Sequence, residues 1–242
     1  MEHARLLRNE APGIGAYKMF VILKAIFLDA MPGRDRFYEI INKNGLMLKP
    51  ERRRHTTNSN HNYRKYSNLI KDLVVGRPNR LWVADITYID TDEGVVYLHL
   101  LTDAWTHEII GWVLSDSLMA ANTIAALKMG IEHNKGADLS GLIHHSDRGS
   151  QYCSNAYVDM LKSINAAISM TEDYKPTDNA IAERVNGIIK QEWLYRMKRP
   201  ENLDEARRII SGIIDFYNNK RPHMSNGMKT PVQKRLEYNK TA

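Results

Sequence analysis

Asp85 stands inside an otherwise apolar run of strand-forming residues, W-V-A-D-I-T-Y-I at 82–89. A carboxylate there is costly to bury unless something cationic meets it. Asp147 ends a second apolar stretch, G-L-I-H-H-S-D-R-G-S-Q-Y, at the point where the chain turns through Gly149. Glu183 falls one turn into a predicted helix, D-N-A-I-A-E-R-V-N-G-I-I-K. Strand ends and first helical turns are places where side chains from distant parts of a chain converge at a sheet edge. Hard oxygen ligands brought together from separate elements are what Mg²⁺ or Mn²⁺ requires, and two such ions about 4 Å apart would clamp an in-line phosphoryl transfer. Each acid alone has a plainer reading: a paired core acid at 85, a turn residue at 147, a first-turn acid favoured by the helix dipole at 183. The combination points to chemistry.

Lys190 extends the set. It follows Glu183 by seven residues, which at 3.6 residues per turn is about 20° short of two turns, so both side chains leave one face of the helix. From there Lys190 would contact a phosphate of the substrate beside the metals, while Ile181, Val185 and Ile188 bury another face. Asp103, in T-D-A-W-T-H, reads as a turn residue rather than a fourth ligand. His144 and His145 read as structural neighbours of Asp147, with His145 also a possible DNA contact.

The elements that must position these residues follow from periodicity. Strands are expected at 81–90, 95–101 and 107–114, with Thr91-Asp92-Glu93-Gly94 as a turn, so the first three strands form an antiparallel meander. A helix at 120–134, a short strand at 142–145, a helix at 155–164 and a strand at 167–170 come next. A helix over 179–196, capped by Asp178 or Asn179, and a last one over 203–217 complete a mixed α/β sheet flanked by helices.

Ahead of this lie two apolar-periodic stretches, 14–30 and 34–43, joined at Pro32-Gly33 in the manner of a helix-turn-helix. The reading divides the chain into a helical segment (1–48), a basic linker (49–78) and a catalytic core with its C-terminal helix and tail (79–242). Residues 1–80 hold 16 Lys/Arg against 7 Asp/Glu, whereas 81–242 hold 18 against 21. The front of the chain therefore suits a polyanion. Within the linker, Arg52, Arg53, Arg54, Arg64 and Lys65 are expected DNA contacts, with Tyr63 and Tyr66 interleaved among them. The lone Cys153 excludes an internal disulfide and a cysteine-based zinc site, and reads as a small buried residue. No apolar run approaches the length of a membrane span and no signal-peptide layout is present, which fits a cytoplasmic, nucleoid-associated protein.

Residues 148–182 place 35 positions between Asp147 and Glu183. With an upstream strand aspartate, that interval is the signature of the DDE recombinases. The stretches N-x-x-W-V-A-D-I-T-Y-I at 79–89, H-S-D-R-G-S-Q-Y at 145–152, T-D-N-A-x-A-E at 177–183 and Y-N-N-K-R-P-H…T-P at 217–231 resemble bacterial insertion-sequence transposases with a retroviral-integrase-type core, the product of a second overlapping reading frame. The resemblance implies a ribonuclease H-like core with Asp85, Asp147 and Glu183 as catalytic residues and metal ligands for Mg²⁺ or Mn²⁺, two ions in number. It implies cleavage at element ends that exposes a 3′-hydroxyl, then attack of that hydroxyl on another phosphodiester. Implied partners are transposon-end and target DNA, the upstream reading-frame product and further copies of the chain in a multimer on DNA. A ribonuclease H-type nuclease without strand transfer, and a non-catalytic DNA-binding remnant, stay open alternatives at this level.

Overall fold

The computed structural model describes residues 1–48, 64–172 and 179–241. Alternating β-branched and aromatic residues form β1 (Leu81–Thr91), and a two-residue turn returns the chain into β2 (Gly94–Asp103) with Thr91 opposite Gly94. β3 (Ile109–Ser115) continues the antiparallel meander. The chain then crosses through α4 (Ala120–His133) to β4 (Ile143–Ser146), which pairs parallel with β1. A short helix, α5 (Ser150–Cys153), and α6 (Asn155–Ser163) lead to β5 (Ala167–Met170), parallel to β4. The sheet order is β3-β2-β1-β4-β5, the mixed sheet expected from the sequence.

Each face of the sheet is covered by a different helix set. On one face Trp82, Ala84, Leu101 and Ile110 pack with Leu127 of α4 and with Tyr152, Tyr157 and Leu161 of α5 and α6. Gly111 lies where α4 crosses β3, and a Cβ there would come within 2.1 Å of the Ala126 carbonyl oxygen, so a residue without a side chain permits the approach. On the other face Ile89, Leu98 and Leu100 pack against α7 (Ala180–Glu192) and α8 (Leu203–Asn219). The N-terminal helices α1 (Glu2–Glu10), α2 (Ala16–Phe27) and α3 (Arg34–Lys43) join this same core through Leu7, Met19, Leu23, Phe37 and Ile41. The last helix, α9 (Pro231–Thr241), buries little beyond Pro231. Among the described residues no helix is long and apolar enough to cross a membrane.

Three expectations are corrected. The stretch 14–30 is helical only from 16 to 27, then a 3-10 turn over Leu28–Ala30. The helix expected over 179–196 ends at Glu192: Trp193 leaves helical geometry (φ −127°, ψ −71°), buries its indole and donates to the Glu10 carbonyl at 3.0 Å. Asn179 occupies the N-cap position without capping, because its side chain is turned toward β1.

The end of α7 is fastened by a buried ion cluster. Arg221 is 2% exposed and donates to both Glu192 carboxylate oxygens, at 2.7 and 2.8 Å, and Lys18 of α2 reaches Glu192 at 3.1 Å. Burial alone would raise the Glu192 carboxyl, but Arg221 and Lys18 outweigh it and hold it below the usual carboxylate range. The Arg of the Y-N-N-K-R-P-H stretch is thus a fastener between α2, α7 and the tail.

Candidate active site

β1 and β4 pair over three residues only, Leu81, Trp82 and Val83 against Ile143, His144 and His145. β4 ends at Ser146 while β1 runs on to Thr91, so the sheet opens between them beyond Val83. Asp85 and Asp147 each follow the last paired residue by two positions. Asp85 in β1 and Asp147, one residue past the end of β4, therefore fall at corresponding positions where the two strands part. The electrostatics agree. Burial pushes the Asp85 carboxyl up to about 7, and the negative charge of Asp147 adds to the rise. The Ile86 N–H and the Asn186 amide oppose it, and Glu183 contributes a smaller push upward.

Asp147 accepts from the Gly149 N–H at 2.9 Å. A Cβ at 149 would lie 3.0 Å from that same carboxylate oxygen and from Gln151 Oε1, so any side chain there would press on the Asp147 carboxylate. Tyr152, buried in α5, has its hydroxyl proton held far more tightly by burial and then by the charges of Asp85 and Asp147. Its oxygen has no hydrogen-bond partner among the described residues.

Glu183 lies in the first turn of α7 on a polar stripe running Asn179, Glu183, Asn186, Lys190, at spacings of four, three and four. Three members of that stripe touch β1. The Asn179 amide donates to the Ala84 carbonyl at 3.3 Å, and the Asn186 amide donates to Asp85 Oδ2 at 2.6 Å. The Lys190 ammonium sits over the Tyr88 ring, 4.1 Å from its centroid. Burial lowers the Lys190 pKa, and the charges of Asp85 and Asp90 work against that lowering. Glu183 is the exposed member of the stripe. Asp85, Asp147 and Glu183 therefore share one electrostatic neighbourhood, yet no three His, Cys, Asp or Glu side chains among the described residues are drawn tightly enough together to hold one ion.

The donors nevertheless suit a hard cation. The charge of Asp147 opposes ionisation of Asp85, and the Oδ1 atoms of Asn179 and Asn186 are buried without a partner among the described residues. The two neighbouring imidazoles are each held through one ring nitrogen. His144 is bonded to the Tyr157 hydroxyl at 2.8 Å, and burial followed by neighbouring His145 drops it to about 3. His145 is fully buried and bonds Ser169 Oγ at 2.8 Å, which corrects its reading as a possible DNA contact. Asp103 is the turn residue expected: buried, accepting from the backbone of Asn79, Trp105 and Thr106 and from the Thr106 hydroxyl. Cys153 is buried and free, as expected.

Arg64 and Lys65 are exposed, with the Arg64 guanidinium 5.3 Å from the Tyr66 ring centroid. Arg52, Arg53 and Arg54 lie outside the described residues. Sequence reasoning missed Asn186 and Tyr152. The signal for Asn186 was present, since it stands three residues after Glu183 and four before Lys190, on the same stripe.

Residues 76–176 and 165–231 match two families described as integrase core domains. The chain is 37% identical over 213 residues to the insertion element IS600 uncharacterized 31 kDa protein of Shigella sonnei, covering 87% of this chain and 77% of that protein. It is 34% identical to the transposase for insertion sequence element IS629 of Shigella sonnei, with 69% and 55% covered. A putative transposase for IS986/IS6110 of Mycobacterium tuberculosis is 32% identical, with 66% and 59% covered, so the chain spans little more than half the length of these last two relatives. Among solved structures, the HTLV-2 integrase catalytic core in complex with magnesium superposes with a TM-score of 0.51 at 21% identity, over 66% of this chain and 97% of that one. The simian T-cell lymphotropic virus intasome in complex with PP2A regulatory subunit B56 gamma gives 0.57 at 17%, over 96% and 74%. These likenesses establish the ribonuclease H-like fold. Its sheet, its opened edge between β1 and β4, and its relatives together place the chain in the family of insertion-sequence transposases with an integrase core.

Proposed function

We propose that the chain cleaves DNA at the ends of its own mobile element and joins the exposed 3′-hydroxyl to a second duplex, using Asp85, Asp147 and Glu183. The placement of Asp85 and Asp147 at the open end of the sheet carries this reading, since the charge of Asp147 raises the cost of ionising Asp85. The three carboxylates would hold Mg²⁺ or Mn²⁺, two ions, which supply Lewis-acid activation and neutralise charge gathering at the phosphorus. Asn186 keeps one oxygen of Asp85 fixed. Gly149 fixes Asp147 in turn. Lys190, held on the Tyr88 ring beside Asp85, contacts a phosphate of the bound strand. Arg52, Arg53, Arg54, Arg64 and Lys65 track the backbone further along. No covalent protein–DNA intermediate is required, so no nucleophilic side chain is needed.

The partners proposed are transposon-end and target DNA, further copies of the chain assembled on that DNA, and the upstream reading-frame product of the same element. The test is an in vitro reaction with Mg²⁺, duplex DNA carrying the ends of the flanking element, and a second target duplex. Wild type yields joined products, and Glu183→Gln abolishes them. Cleavage without joining would reduce the protein to a nuclease. Undiminished joining by Glu183→Gln would remove the assignment.

A further inference from the structure

The basic segment before β1 is not a free tether where it is described. The Met170 N–H donates to the Ser67 carbonyl at 3.3 Å, and the Leu69 N–H donates to Ser169 Oγ at 2.9 Å. The Asn68 N–H donates to Glu172 Oε1, also at 2.9 Å. These bonds pin residues 67–69 along the outer side of β5, the terminal strand of the sheet. Tyr66 packs into the core beneath α6, while Ile70, Leu73 and Val75 pack near Leu81 and Ile143. A stretch that reads as linker therefore seals a sheet edge and gains a fixed position beside the Asp147 turn.

That docking builds an open pocket of about 340 Å³ lined by Lys65, Tyr66, Ser67, Arg148 and Glu172. Arg148 is the residue next to Asp147, and Lys65 and Arg148 act on the same Cys153 thiol from two chain segments. Glu172 is the pocket's one carboxylate among the described residues, and Lys71 binds it at 2.5 Å. Arg64 stands beside the pocket on Tyr66. With Glu172 bound by Lys71, the described residues that line the pocket leave Lys65 and Arg148 as a positive excess. Arg148 directly follows Asp147, which puts the pocket next to the turn where a reacting phosphate would lie.

We propose that this pocket seats a backbone phosphate of the DNA strand next to the reacting one, with Arg148 and Lys65 as its cationic contacts. The proposal rests on the function proposed above and adds a residue, Arg148, and a surface to it. The contact is to the backbone, so it is independent of base sequence and governed by salt.

The test is fluorescence anisotropy with labelled duplex DNA and full-length protein in EDTA, titrated at several salt concentrations. Lys65→Gln and Arg148→Gln each weaken binding about 3- to 10-fold near 0.1 M salt, and each flattens the slope of log K against log salt by about one. Arg148→Lys keeps most of the affinity. Lys135→Gln, at an exposed site after α4, changes neither quantity. Lys65 is exposed, so its variant tests the pocket even if Arg148→Gln perturbs folding in a thermal melt. Wild-type affinity and slope in Lys65→Gln overturn the pocket alone, provided the wild type still binds and joins DNA. A wild type without salt-dependent DNA binding overturns the pocket and the parent reading together.

Discussion

Replacing Asp85 by Asn should make the metal-free protein more stable, although it removes a residue assigned to the chemistry. The folded carboxyl is raised from 3.8 to about 7, first by burial and then by Asp147. Because the folded state holds this proton more tightly than the unfolded chain does, ionisation costs stability. The wild type carries no penalty below pH 3.8, loses stability as pH climbs, and bears the whole cost above pH 7. Three units at about 1.4 kcal/mol each set a ceiling near 4 kcal/mol, and water reaching the half-buried side chain brings the expected gain to about 2 kcal/mol. Asn at 85 still accepts from the Asn186 amide, so that bond is not lost. For a chain of this size the gain corresponds to a rise in Tm of roughly 4–8 °C. Thermal melts of wild type and Asp85→Asn in EDTA should therefore diverge from pH 4 to pH 7 and stay apart at pH 8. Adding Mg²⁺ at pH 8 should raise the wild type and leave the variant unmoved. A variant that melts at or below the wild type at pH 8 in EDTA would refute the reasoning, since the carboxyl would then not be held ionised against its surroundings.

Arg221→Met should destabilise the protein by about 3–5 kcal/mol in denaturant titrations, because it strands the buried Glu192 charge and loosens α7; a loss under 1 kcal/mol would mean that Lys18 alone suffices. Gly149→Ala should cut strand transfer about 10- to 100-fold with a small change in Tm, since the new Cβ meets the Asp147 carboxylate at 3.0 Å; full activity would show that the turn has room to spare. Asn186→Ala removes a bond that favours ionised Asp85, so the acid limb of the pH–rate profile should move upward, and an unmoved limb would reject the positioning role. Lys190→Gln should weaken DNA binding while sparing stability, as read by anisotropy and thermal melts, whereas unchanged DNA affinity would leave the lysine as a partner of Tyr88 only.

Much of the fold was legible because it rests on local rules. The β-branched run of β1 and the Thr91–Gly94 turn place the meander, and apolar periodicity finds α3, α4, α6 and α8 to within a few residues. The candidate acids drew notice in the sequence for different reasons: Asp85 interrupts an apolar strand, Asp147 ends one, and Glu183 stands in a first helical turn 35 intervening residues later. What stayed hidden depends on long-range partners. The C-terminal end of α7 is set by the burial of Trp193 against the chain at Glu10, and no Gly or Pro marks the break. Helices α1 and α9 escape because few of their side chains are buried, so neither shows a full apolar stripe. The docking of residues 67–69 uses backbone groups against Ser169 and Glu172, about a hundred positions away, which no local pattern encodes. Asn186 was within reach, because the helical spacing that singled out Lys190 picks it out as well.

The central claim is that Asp85, Asp147 and Glu183 share cations at the opened end of the sheet. Crystals soaked in Mn²⁺ and measured at the manganese absorption edge test it most directly. The account predicts anomalous peaks between Asp85 and Asp147, with Glu183 turned inward to complete the ligand set. Manganese bound elsewhere, with these three carboxylates left as they are, would contradict it.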